Sequence, residues 1–242
     1  MSISARSIPV GTKITIWEEP VLGQSAITLL SPRIASIFAR WSVLEKQLNQ
    51  LFTLVTDADP VARSDFDQLK GWDRRVDAIV IQATHRLEPA VSDLVKVVLR
   101  LVKSPAAKRD ELAHRVWATA EGFEDELALL PPDDQHSFAE SIIAVKIAGR
   151  CDIPLDNGPL YDGSTLVSAS DLDALILDLK NAGERMNSLI RGHFFPPFAD
   201  LTGGGFADDR QRLADDGEIS ARIVNVARAR EQAERAARRQ TG

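Results

Sequence analysis

The sequence predicts a mainly α protein, a bundle of about five helices with room for a small β element. Three features carry that reading. Large apolar residues recur at three- and four-residue steps over several long stretches, proline repeatedly stands where a first helical turn would begin, and two-residue alternation is confined to short segments. With 242 residues, 44% hydrophobic and 26% charged, the chain has the composition of a folded protein with a core rather than a disordered one.

Residues 1–25 hold Pro9, Gly11, Pro20 and Gly23 around Lys13-Ile14-Thr15-Ile16-Trp17, which suits a short strand or an extended arm. Ile34, Ile37, Phe38, Trp41, Leu44, Leu48, Leu51, Phe52 and Val55 then form one helical stripe. Ser31-Pro32 is the expected start, because proline has no N–H to leave unpaired there, and Asp57 to Pro60 the expected stop. From Asp73 to about Lys103 the period continues, with a break or kink at Pro89, which removes a backbone donor and disfavours helix at Glu88. Ser104-Pro105 repeats the cap-plus-proline pattern and predicts a helix through Ala120 that stops at Gly122, with Leu112 and Trp117 in the core.

Pro131-Pro132 interrupts the chain, and Phe138 to Ala148 fits either period. Residues 151–168 read as loop. Ser170, with Asp173 three residues on, predicts a capping box for a helix carrying Leu172, Leu175, Ile176, Leu179, Met186, Leu189 and Ile190. Phe194 to Gly205 is expected to end the packed region, and Ile219 to Gln240, rich in Ala and Arg, to form a solvated or thinly docked helix. The organisation that follows is an N-terminal arm (1–25), a helical domain (26–195), a linker (196–217) and a basic C-terminal helix (218–242).

The formal net charge is −6. From Glu218 to Gly242 six Arg face three Glu, which is +3, so the first 217 residues carry −9. Such a chain does not coat nucleic acid over its whole surface. Cys151 is the single cysteine, no apolar run approaches the roughly 20 residues of a membrane span, and nothing at the N-terminus resembles a secretory signal, so a cytoplasmic address is expected. His85, His114, His136 and His193 lack the spacing of metal ligands, and phosphate-binding glycine loops and nucleophile elbows are missing; no metal or cofactor is predicted. His85 and His136 read as a solvated helix end and a turn residue, and His193 as a partner of helix-terminal carbonyls.

One stretch concentrates positive charge: between Arg100 and Arg115, Arg100, Lys103, Lys108, Arg109 and Arg115 face only Asp110 and Glu111. On a helix Arg109 and His114 lie about 140° apart and flank a groove, while Asp110 and His114, four apart, stack. Metal-free RNA cleavage needs a base for the 2′-OH, an acid for the leaving 5′ oxygen and fixed charge for the transition state. One His and one Arg are too few for three roles, whereas two chains meeting at this helix supply two of each. The same residues also read as a surface ion-pair network, with Glu111 and Arg115 at i,i+4 spacing.

Arg109-Asp110-x-x-x-His114 resembles the Arg-polar-x-x-x-His signature of the HEPN superfamily, compact helical bundles that often dimerise through this helix. Many are metal-independent endoribonucleases of toxin–antitoxin, abortive-infection or other defence systems. More weakly, the resemblance covers residues 30–195 in the order of elements. Family members commonly carry Asn after the Arg, with Asp or His also accepted; here it is Asp110. The resemblance implies that Arg109 holds the scissile phosphate, His114 is acid or base and Asp110 positions the site. Lys103, Lys108 and Arg115 would then attract RNA, with a second copy of the chain and an antitoxin or regulatory protein as partners. The competing expectation is a non-catalytic helical module that dimerises through the motif helix and recruits a partner with its basic tail.

Overall fold

The computed structural model describes residues 3, 6–9, 12–16, 25–131, 163–194 and 205–240. Phe138 to Ala148, His136 and Cys151 lie outside them. The described residues form seven helices and four strands: β1 (Ile14–Ile16), α1 (Ser25–Val55), α2 (Pro60–Gln68), α3 (Trp72–Arg86), α4 (Pro89–His114), β2 (Val116–Ala120), β3 (Leu127–Leu130), β4 (Thr165–Val167), α5 (Ala169–Phe194), α6 (Gly205–Asp215) and α7 (Gly217–Gln240). The protein is mainly α with a small β element. Two compact units divide the chain, Met1–Ala39 with Ala107–Asp178 and Arg40–Ala106 with Leu179–Gly242.

The first unit holds an antiparallel sheet in the order β1-β2-β3-β4. Side chains alternate across a strand, and all four residues of β3 are buried, so both faces of this strand are covered. Ala118, Ala120, Ala128, Leu130 and Leu166 form one cluster with Ile8, against which Ile14 and Phe123 pack. Both sheet edges draw on the first sixteen residues. Ile14–Ile16 pair with Ala118–Ala120, and Ser7 bridges Thr165, which leaves fewer unpaired edge groups.

This sheet corrects the helix expected to run from Ser104-Pro105 to Ala120. Helix α4 is continuous through Pro105 and ends at His114. The ring removes one backbone hydrogen bond, at a cost of about 3 kcal/mol, but Val95, Val98, Leu99, Val102, Ala106 and Leu112 are all buried on that helix. At roughly 1.5–3 kcal/mol for each large side chain, burial outweighs the proline. Beyond His114, Val116–Ala120 find ladder partners on β1 and β3, and the Trp117 indole donates to the Leu112 carbonyl at 2.8 Å. That bond satisfies one acceptor at the helix end. Gly122, at φ +81°, turns the chain from β2 toward β3.

Two other starts differ from expectation. Helix α1 begins at Ser25 with Pro32 inside it, because Leu30 extends the buried stripe one turn ahead of Ile34. The capping box of α5 uses Ser168 and Asp171 rather than Ser170 and Asp173: the Asp171 amide donates to Ser168 Oγ (3.2 Å) and the Ser168 amide to Asp171 Oδ2 (2.8 Å). Asp173 instead receives Arg33 at 3.0 Å.

In the second unit Trp41, Leu44, Leu48, Leu51, Phe52 and Val55 of α1 are buried, as are Phe66, Ile79, Met186 and Leu189. Helix α3 ends before Pro89 and α4 begins on it, which is the expected break. The stop after Val55 is also observed, but α2 follows at once, capped by Asp59, whose Oδ1 accepts from the Val61 and Ala62 amides. The expected linker contains a helix, α6, and packing continues past it: Leu213 and Ile219 are buried, and the buried Asp209 carboxylate meets Arg191 at 3.1 Å. Apolar burial and this ion pair explain why residues 205–215 do not behave as a linker. Helix α7 docks through few contacts, with Ile219 buried and Arg230 on the buried Asp93.

Asp216 caps α7, accepting the Glu218 and Ile219 amides at 3.0 and 3.1 Å and Arg185 Nε at 2.7 Å. Partial burial pushes its carboxyl up, but Arg185 and the two amides more than offset this and hold it below the ordinary carboxylate range. A carboxyl depressed in the folded state stabilises above its unfolded value, about pH 4. That contribution is lost as pH falls through the lower folded value. Asp216→Ala is therefore expected to cost about 1 kcal/mol at neutral pH and to flatten the fall in stability below about pH 4, as measured by urea unfolding at several pH values.

Candidate active site

Helix α4 ends in the first unit with Lys108, Arg109, Asp110, Glu111, Leu112 and His114 on an unbroken last stretch. Leu112 is fully buried and anchors it. Arg109 and His114 are separated by about 7.5 Å along the axis and about 140° around it.

The Arg109 side chain is 22% exposed. Its Nη1 donates to Asp110 Oδ1 at 2.8 Å, and its guanidinium carbon lies 5.3 Å from the centre of the Phe38 ring, a cation–π arrangement. A carboxylate and a ring thus hold the guanidinium in one orientation. His114 is the last residue of α4 and is exposed. Asp110 bonds Arg109, and no hydrogen bond joins it to His114 one turn further along the same helix.

The three other nominated cations are also engaged. Lys108 Nζ meets Asp178 at 2.8 Å, and Arg115 meets Glu111 at 3.1 Å while donating to the Gly163 carbonyl. Glu111 in turn accepts the Ile3 amide at 2.8 Å. Lys103 belongs to the second unit, where it faces Asp73 at 3.3 Å with both side chains largely exposed. The structure therefore brings Arg109 and Asp110 together, leaves His114 in solvent beyond them, and places Lys103 in the other unit.

Phe38 and Asp178 were not among the site residues drawn from the sequence. Phe38 reads as one more member of an apolar stripe, and Asp178 carries no motif, so neither offers a local signal. Of the other histidines, His85 is exposed in the last turn of α3, and His193 is half-buried in the last turn of α5. Among the described residues no three His, Cys, Asp or Glu are grouped to hold a metal ion, and no helix is long and apolar enough to cross a membrane. No protein-family model, curated protein or solved structure matches the chain.

Proposed function

We propose that the chain is a metal-independent endoribonuclease of HEPN-like type acting in the cytoplasm, with a composite active site where the α4 ends of two copies meet. The observation that carries this reading is the pairing, on one unbroken helix end, of an oriented guanidinium with an exposed imidazole. In the reaction, one His114 takes the proton of the 2′-OH as its oxygen bonds to phosphorus. The His114 of the other copy protonates the 5′ oxygen as its bond to phosphorus breaks. The Arg109 pair stabilises the charge that gathers on the non-bridging oxygens. A 2′,3′-cyclic phosphate and a 5′-hydroxyl result.

The ion pairs around the motif are compatible with a polyanionic substrate. An exposed pair such as Lys103–Asp73 contributes about 0–1 kcal/mol, so little is lost when a phosphate takes the place of the carboxylate there. Incubating the protein with mixed RNA in EDTA, beside His114→Ala and Arg109→Ala, is the direct test. Intact RNA, or equal cleavage in all three, refutes the reading.

Asp110 should moderate the site by withdrawing charge from Arg109. Asp110→Asn keeps the shape and removes one negative charge about 4 Å or less from the guanidinium, worth about 1 kcal/mol in water. The expected result is RNA binding about fivefold tighter at low salt, with the gain shrinking as salt rises. Filter binding across a salt series checks it.

A second reading rests on the carboxylate partners of Lys103, Lys108, Arg109 and Arg115. It makes the chain a non-catalytic interaction module in which these cations stabilise the fold and α7 recruits a partner. It requires that RNA stay intact, that His114→Ala change nothing, and that truncation before Glu218 abolish partner capture.

A further inference from the structure

A separate cleft of about 450 Å³ lies in the second unit, walled by Leu94 of α4, Leu213 of α6 and Ile223 and Val224 of α7, with His193 of α5 and Arg210 of α6 in its lining. This volume falls within the range of small-molecule sites, which combine apolar walls with a few convergent polar groups. Leu94 and Leu213 are buried, while Val224 stands 47% exposed at the rim.

The polar side is built rather than incidental. Arg210 donates its Nε–H to the Gly192 carbonyl. A Cβ at Gly192 would sit 3.1 Å from Arg210 Cγ and 3.2 Å from its backbone nitrogen, so glycine lets α5 and α6 approach closely enough for that bond. Asp209, the adjacent carboxylate, is engaged by Arg191. Burial, and then the charge of Arg210, push the His193 imidazole below its ordinary range. At neutral pH the lining therefore presents one fixed positive charge and one neutral ring that can donate or accept.

We propose that this cleft binds a small aliphatic carboxylate, with its chain along Leu213, Ile223 and Val224 and its head on Arg210 beside His193. One guanidinium matches one carboxylate in charge and in bidentate geometry, and the one further polar side chain of the lining, Ser220, already donates to the Ala214 carbonyl at 2.8 Å. The site is independent of RNA cleavage and uses none of the α4 motif.

Decanoate below its micelle threshold is the probe, with decanol as the uncharged control, measured by calorimetry on the full chain. Decanoate should bind saturably at one site per chain, about tenfold more tightly than decanol. Arg210→Gln should remove that preference. Val224→Glu, at an exposed rim position, should weaken both ligands and keeps the test valid if the arginine variant fails to fold. In the wild type the His193 ring signals should shift as decanoate is added. Binding that is absent, equal for the two probes, or undiminished in both variants overturns the proposal.

Discussion

His114→Ala is expected to slow RNA cleavage by about 10²- to 10⁴-fold, the range for loss of a general acid or base, without changing the thermal midpoint. The side chain is exposed and lies at a helix end. Surface substitutions of this kind usually change stability by less than about 0.5 kcal/mol, so lost activity would not report unfolding. Arg109→Lys separates charge from shape: it keeps the cation but loses the planar fork and the stacking on Phe38. It should fall well below wild type. The proposed composite site has its own signature. If both histidines of a dimer act in one site, an equimolar mixture of wild type and His114→Ala after subunit exchange has, per total protein, about a quarter of the wild-type activity, whereas independent sites give about a half. A linear dilution curve would sink the composite site even with cleavage intact.

Phe52→Ala should be the most damaging single change to the fold, at about 3–5 kcal/mol. Phe52 and Phe66 are 2% and 1% exposed, and their rings stack at 3.9 Å between centres and 15° between planes. Truncation removes the buried area and the aromatic contact, worth about 0.5–1.5 kcal/mol of that total, and leaves a void that packed neighbours fill only in part. For a chain of this size each kcal/mol moves the midpoint by about 2–4 °C, so a loss of roughly 10 °C is expected in calorimetry. Phe52→Leu keeps most of the volume and should cost clearly less. Equal losses in the two variants would place the stability elsewhere.

The helices that were legible in the sequence share one property. Buried Leu44, Leu48, Leu51 and Phe52 of α1, and Leu172, Leu175, Leu179 and Met186 of α5, repeat at helical steps, so the pattern that forms the element is written inside it. Their ends were read less well. Pro32 and Pro105 looked like starts because proline suits a first turn, yet buried apolar residues on both sides carry the helix through. Helix α2 carries no apolar stripe in the sequence, because its nine residues bury only Phe66. Arg109 and His114 were legible as a spacing on a helix; their surroundings were not.

By itself the sequence determined a mainly α chain, the unbroken step from Arg109 to His114, the break at Pro89 and the basic last helix, because local periodicity, proline chemistry and charge need no distant partner. Tertiary structure alone decided that Val116–Ala120 leave the helix for a sheet and that Arg109 is held between Asp110 and Phe38. It also decided that Asp178 and Asp73 answer Lys108 and Lys103. The reason is physical. A strand has no hydrogen-bond partners of its own, and those of β2 come from Ile14–Ile16 and Leu127–Leu130. An ion pair between residues far apart in the chain likewise exists only once folding has brought them together.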